Sequence, residues 1–204
     1  MQKKDALLEA ALQHVPFDGW SLTSVRAAAR DLDMSIDEAE RLFPRGGDDL
    51  LAHLEVWADR KMLASLEKLD LASMPVRERV AQGVLARLAV LEPHREAVRR
   101  ALPARLFPTN ALAAGPAVWR TCDAIWHAAG DDSTDYNRYT KRFLLAGVYT
   151  STFLYWLDDR SEDHRDTQSF LHRRIDEVLK IGKSTGQMVS TLTRFSPFHR
   201  SARA

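Results

Sequence analysis

The chain has 204 residues, 45% hydrophobic and 28% charged, with a net charge of +1, which is enough for one sizeable core or two small ones. So balanced a charge argues against a protein held mainly by the nucleic-acid phosphate backbone, since that affinity grows with the number of phosphates neutralised. The single cysteine, Cys122, excludes an intramolecular disulfide and a cysteine-rich zinc site, and suits a reducing cytosol.

The chain starts MQKKDALLEA, without the continuous apolar stretch of a secretory signal, so a cytoplasmic protein is expected. Leu7, Leu8, Ala11 and Leu12 form a helical stripe that breaks at Pro16 to Gly19. Ser21 can then cap a helix carrying Leu22, Val25, Ala28, Ala29 and Leu32, followed by a turn at Asp33 to Ser35 and a short helix ending at Phe43. This order resembles the helix-turn-helix of TetR-type regulators. From Asp31 to Arg45, however, Asp31, Asp33, Asp37, Glu38 and Glu40 stand against Arg41 and Arg45 alone, a surface that repels DNA. Residues 1–46 are therefore expected to be a degenerate helix-turn-helix with no nucleic-acid partner; a ligand-responsive TetR-type repressor is the alternative.

Residues 47–182 are expected to form a helical domain. Leu50, Leu51, Leu54 and Trp57 make one stripe, and Val80, Val84, Leu85, Leu88 and Leu91 another. Breaks fall at Pro44 to Gly47, Ser73 to Pro75, Glu92 to Pro93, Pro103 to Pro108, Gly115 to Pro116, Gly130 to Ser133 and Asp158 to Asp163. No alternating run long enough for a sheet appears. The fold class is all-α and TetR-like, with about nine to ten helices.

The segment from Trp126 to Arg142, WHAAGDDSTDYNRYTKR, is a polar corner between two apolar helices. Gly130 can end one helix in the left-handed conformation, and Asp131, Asp132, Ser133, Thr134 or Asp135 can cap the next. That next helix opens with Asn137, Arg138, Tyr139, Lys141 and Arg142; either a binding surface or a capped, solvated helix start accounts for them. The fifteen uncharged residues from Phe143 to Leu157 are too few to cross a bilayer, which takes roughly 20. They are expected to be a central helix, in a plain core or lining an apolar cavity.

Enzyme motifs fail on their residues. No glutamate is followed three residues later by histidine, as a di-iron bundle requires, and His-Glu-x-x-His is absent. Gly182-Lys183-Ser184-Thr185 imitates a phosphate loop, but Glu177 occupies the position of its first glycine. Cys122 and His127 are a weak candidate for a nucleophile and its base. No catalytic residue, metal ligand or cofactor is expected.

The corner, together with the aliphatic-aromatic helix after it and the Arg-Leu-Phe-Pro-Thr-Asn element of Arg105 to Asn110, resembles the Coq-nine family of ubiquinone (coenzyme Q) biosynthesis accessory proteins. The resemblance covers roughly residues 5 to 182. It implies a TetR-like homodimer without DNA binding, an apolar pocket for an isoprenoid quinone or other lipid, and a membrane-touching carboxyl-terminal helix. It also implies a non-catalytic partnership with the di-iron hydroxylase that acts on demethoxy-ubiquinone intermediates, and hence a cytoplasmic protein peripherally associated with the inner membrane.

Carried across residue by residue, the partner-binding patch comprises Asp135, Asn137, Arg138, Tyr139 and Arg142. Thr140 matches as well, and Lys141 replaces a common arginine. Arg138 departs from the tryptophan common among mitochondrial members, exchanging an apolar anchor for a group that stacks or pairs. The lipid-binding candidates are Leu106, Phe107, Trp119, Trp126, Phe143, Leu144 and Tyr149, each equally compatible with core packing.

The tail, residues 183–204, carries Met188, Val189, Leu192 and Phe195 with Lys183, Arg194, Arg200 and Arg203. It reads as an amphipathic membrane-surface segment or a frayed end. Phe170, Leu171, Ile175, Val178 and Leu179 form a stripe suited to pairing across a two-fold axis, or to packing within one subunit.

Overall fold

The computed structural model describes the backbone of residues 1–106, 108–131 and 136–194, and side chains within these except at 104–106, 108–114, 136–137 and 181–194. Nine α-helices account for the described chain: α1 (Gln2–Asp18), α2 (Leu22–Asp31), α3 (Ile36–Leu42), α4 (Gly47–Leu66), α5 (Val76–Leu91), α6 (Arg95–Leu106), α7 (Pro108–Ala128), α8 (Tyr136–Asp158) and α9 (Arg165–Arg194). Short 3-10 turns occupy Leu71–Ser73, Glu92–His94 and Glu162–His164, and no strand is present among the described residues.

Local chemistry accounts for most helix ends. Ser21 accepts a hydrogen bond from the Ser24 amide at 3.4 Å to start α2, and Ser35 accepts one from the Glu38 amide at 3.2 Å to start α3. At the end of α7, Gly130 takes φ +85°. Its amide donates to His127 O, while the Asp131 amide reaches Trp126 O, both at 3.0 Å, which is the paired closure of a Schellman motif. One expected break is absent, because α7 runs through Gly115 and Pro116. A proline ring is compatible with helical φ, but it removes its own amide bond and crowds the carbonyl four residues earlier. Packing of α7 against α4, α5, α6 and α8 holds the helix across that gap. At the other end of the chain α9 continues through 183 to Arg194, so the first part of the tail extends that helix; residues 195–204 lie outside the described residues.

A continuous core reaches from Leu7 and Val15 in α1 through Leu50, Met62 and Val84 to Trp156 and Leu171. Polar latches tie α1 to α4: Trp57 Nε1 donates to Glu9 Oε1 at 3.0 Å, Arg60 to Asp5 Oδ1 at 2.7 Å, and His53 Nε2 lies 2.8 Å from the same Asp5 oxygen. Trp20 Nε1 donates to Ala97 O at 2.9 Å and so joins the amino-terminal helices to α6. The start of α4 presses so closely on this region that a Cβ on Gly47 would stand 2.0 Å from Trp20 O.

The long uncharged helix α8 is not enclosed on every side. Leu145, Val148, Tyr149, Thr152, Trp156 and Leu157 face inward, whereas Phe143, Leu154 and Tyr155 are 74%, 44% and 39% exposed. Its principal neighbours are α5, α7 and α9, which leave one face open. On α9, Leu171 and Ile175 are buried within the subunit, Phe170 stacks on Tyr155 with ring centroids 4.5 Å apart, and Leu179 stays 45% exposed. No helix among the described residues is long and apolar enough to cross a membrane.

Gly47→Ala is expected to cost about 2 kcal/mol or more, because its neighbour is backbone and cannot swing aside. Gly147→Ala, in open space on α8, should instead be neutral or stabilising by roughly 0.5 kcal/mol; urea denaturation of both variants checks this contrast. Burial lowers the pKa of His53 and of His94, outweighing Asp5 beside the first and Glu9 near the second. Below about pH 6.5 the unfolded chain therefore takes up protons that the folded one refuses, and stability falls as the pH drops. Thermal melts at pH 7.5, 6 and 5 should show a declining midpoint, with a shallower decline in His94→Gln.

Candidate functional site

Two neighbouring features carry the unusual chemistry of the fold. The first is the polar corner. Arg142, one helical turn after Arg138, points into the α7–α8 seam and is only 3% exposed. Its Nε donates to Asp123 Oδ1 at 2.5 Å and its Nη1 to Asp131 Oδ2 at 3.0 Å. Arg138 adds a 3.2 Å bond to Asp123, and Lys141 Nζ lies 2.6 Å from Asp131 Oδ1 and 5.5 Å from the Trp126 ring centroid. Burial pushes the Asp123 carboxyl up, but the Arg142 and Arg138 guanidiniums outweigh it and hold the pKa below the usual carboxylate range. Arg79 in α5 closes the far side, donating to Ala129 O at 3.0 Å and Met74 O at 2.8 Å.

The face beside it in the same turn is open. Tyr139 is 61% exposed and stacks on Trp119 with centroids 6.0 Å apart, and Phe143 lies one turn further along α8. The patch candidates thus divide: Tyr139 presents a ring to solvent, Arg138 is half-buried against Asp123, and Arg142 braces the seam. Asp135 lies outside the described residues, and so does the Asn137 side chain.

The second feature is an apolar cleft of about 280 Å³ enclosed by five helices. α4 contributes Leu51, Leu54 and Glu55, α5 Leu91, α6 Val98, Ala101 and Leu102, α7 Val118 and Thr121, and α8 Tyr149, Thr150, Phe153 and Leu154. Tyr149 is the lipid candidate that lines it. Trp119 and Trp126 sit on the corner side of α7, Phe143 is on the surface, and Leu144 is half-buried away from the cleft. Phe107 and the Leu106 side chain lie outside the described residues.

Behind the cleft is a buried charge cluster that periodicity alone does not reveal. Arg87 in α5 is fully buried, with Nη2 2.7 Å from Glu55 Oε2 and Nε 3.1 Å from Asp59 Oδ1. Asp59 also accepts from Thr121 Oγ1 at 2.7 Å and Arg120 Nε at 2.9 Å. Burial opposes the Arg87 charge, yet the neighbouring Tyr149, Glu55 and Asp59 hold its pKa above the ordinary value. The available signal was a charged residue inside an apolar stripe: Arg87 between Val84 and Leu88, and Asp59 between Trp57 and Met62.

Cys122 is buried and its thiol is pushed up to about 12, while His127 is exposed, so the pair has no activated nucleophile. Among the described residues no grouping of histidine, cysteine, aspartate and glutamate could hold a metal ion.

Fold and site together define an all-helical, TetR-like protein with an apolar cleft in its larger helical region. A solved structure described as a TetR transcriptional regulator from Nitrosomonas europaea matches 88% of this chain and 99% of its own, at a TM-score of 0.71 and 25% identity. The sequence model of the COQ9 family matches residues 111–182, spanning the polar corner and most of α7, α8 and α9. Two mitochondrial ubiquinone biosynthesis proteins of Xenopus laevis, COQ9-A and COQ9-B, are each 36% identical over 93% of this chain. The human protein COQ9 is 32% identical over the same share. The chain spans 62% of the length of COQ9-A and of the human protein, and 67% of COQ9-B. The chain belongs to the COQ9 family.

Removing the buried guanidinium of Arg142 leaves Asp123 to Arg138 and Asp131 to Lys141, and takes away the cation that joins both carboxylates within the seam. Arg142→Met should therefore cost about 3 kcal/mol. Arg138→Ala, at a half-exposed pair, should cost about 1 kcal/mol or less in the same urea titration.

Proposed function

We propose that this chain is a non-catalytic lipid-binding accessory protein of ubiquinone biosynthesis, which binds or presents isoprenoid quinone precursors to a membrane-associated di-iron hydroxylase. The observation that carries this reading is the cleft: its walls are almost wholly aliphatic and aromatic, as a polyisoprenoid tail requires, and it lies in a chain whose named relatives are ubiquinone biosynthesis proteins.

The exposed Tyr139 and Phe143, with Trp119 behind them, are the docking surface for the hydroxylase in this reading, because aromatic side chains of that size are favoured interface anchors. Arg142 acts there as a brace that holds α8 in position. The open faces of α8 and α9 form the homodimer contact, and the continuation of α9 beyond 183 rests on the cytoplasmic surface of the inner membrane. The resemblance of α1 to α3 to a regulator supplies a competing reading as a TetR-type repressor. The α3 helix opposes it, since Asp37, Glu38 and Glu40 stand there against Arg41, and Glu38 and Glu40 pair with Lys3 and Arg26 at 2.7 Å each.

Protein purified from a quinone-making host should yield an isoprenoid quinone or its precursor on organic extraction and mass spectrometry. Val98→Trp, which fills the cleft, should remove that lipid. An extract free of isoprenoid lipid, or salt-dependent binding to DNA fragments with a slope of several phosphates, would displace the carrier reading. Tyr139→Ala with Phe143→Ala should weaken capture of the hydroxylase roughly 100-fold while leaving the bound lipid unchanged.

A further inference from the structure

A second cavity, of about 430 Å³, lies between the carboxyl end of α5 and the first turn of α9, and it shares no lining residue with the cleft. Leu85, Leu88, Pro93 and Trp156 give it an apolar floor. Its polar groups are Glu92, just beyond α5, and Asp163, His164, Thr167 and Gln168 from the α9 side.

The donors among these groups are already engaged. Trp156 Nε1 donates to Glu92 Oε2 at 2.6 Å, and His164 Nε2 lies 2.9 Å from the same oxygen. Thr167 Oγ1 donates to the buried Asp159 at 2.5 Å, and Gln168 Nε2 donates to Asp163 O at 3.0 Å. Acceptors are what remain. Glu92 Oε1 is 3.6 Å from Arg95, beyond hydrogen-bond range, and the Asp163 carboxylate makes no hydrogen bond among the described residues. Arg95 is turned elsewhere, with Nη2 donating to Trp156 O and Asp159 O, and neither lysine nor arginine lines the cavity among the described residues.

The turn that brings Asp163 to the cavity is held under strain. Asp163 and His164 both take φ +53°, in the left-handed region that glycine alone enters freely, and His164 Nδ1 is enclosed without a hydrogen-bond partner. Such conformations persist where the surrounding structure enforces them, and they gather at ligand sites. Oxygen acceptors and negative charge over an apolar floor repel anions and suit a ligand that brings donors, positive charge and a hydrophobic body.

We propose that this cavity is a second ligand site, which takes a small organic cation bearing an amidinium, guanidinium or primary ammonium group. The cationic head donates to Glu92 Oε1 and the Asp163 carboxylate, and the apolar body lies on Leu85, Leu88 and Pro93. The site is independent of the lipid-carrier reading, since the two cavities are lined by different residues.

Benzamidine, benzamide and benzoate share one ring and differ in charge, and calorimetric titration of each into the full chain tests the assignment. Benzamidine should bind about tenfold or more tightly than benzamide, and benzoate should not bind. Asp163→Asn, which keeps a residue tolerant of left-handed backbone, should weaken benzamidine roughly threefold. Asp33→Asn, the same exchange at another left-handed position, should leave it unchanged. Ala89→Phe, at an exposed position of α5 that also lines the cavity, should abolish benzamidine binding without altering the lipid recovered on extraction. N-Acetylargininamide, which carries the cationic head on a peptide backbone, should bind more weakly than benzamidine; tighter binding overturns the small ligand in favour of a partner's arginine. Equal affinity for benzamidine and benzamide, binding that survives Ala89→Phe, or no benzamidine binding up to about 10 mM overturns the site. Lipid extraction, which tests the carrier reading, is unaffected by any of these outcomes.

Discussion

The buried guanidinium of Arg87 is the constraint around which the larger helical region is arranged. A fully enclosed charge is tolerated only when anions come to meet it, and here they come from α4 as Glu55 and Asp59. Asp59 in turn accepts from Arg120 and Thr121 of α7, so one cation sets the mutual register of three helices. Tyr149 brings α8 into the same cluster and is itself pushed well above the ordinary phenol range by its burial. The hydrocarbon walls of the cleft are grouped around this cluster, and the cleft has a polar corner because the helices are joined through charge there.

A second ionic pin governs the other end of α8. Arg142 holds Asp123 of α7 and Asp131 just beyond it, and the Schellman closure at Gly130 brings Asp131 to where the guanidinium can reach it. Removing the inward-facing groups of this turn from solvent leaves Tyr139 and Phe143 as its outward face. Structure and presentation are therefore coupled: Arg138 and Arg142, which fix α8, are each followed directly by Tyr139 and Phe143, which decorate its surface. Thr150 and Leu154 of the cleft follow Phe143 by seven and eleven positions, so a ligand and a docking partner would be read by one side of a single helix at different heights along it.

The amino-terminal helices combine the arrangement of a helix-turn-helix with an acidic surface on α3. Capping by Ser21 and Ser35, the apolar face of Val25, Ala28 and Ala29, and the Gly47 contact on Trp20 preserve the geometry of a helix-turn-helix. None of those interactions involves the solvent side of α3, so acidic residues accumulate there without disturbing the packing. The polar latches from Asp5 and Glu9 to α4 and from Trp20 to α6 make this unit part of one core with the rest of the chain.

Much of the architecture was legible in the residues because helix formation and termination are local. The period of Leu7, Leu8, Ala11 and Leu12, the cap at Ser21 and the left-handed stop at Gly130 each depend on a few neighbouring positions, and each appears where its chemistry requires. The Gly115–Pro116 break failed because neighbouring helices, which no local pattern contains, hold α7 together there. Side-chain direction is the other limit. Sequence places Arg138, Tyr139, Arg142 and Phe143 on adjacent positions of one helix, but only the position of α7 decides that Arg142 turns inward and Phe143 outward. The cleft is a property of five helices at once, so the contributions of Leu51, Glu55 and Val98, separated by dozens of residues, emerge only from tertiary packing. By itself the sequence determined an all-helical chain, its turns and the acidic face of α3. Long-range burial of charge, and the hydrogen bonds that compensate it, decided which residues brace, which line and which remain on show.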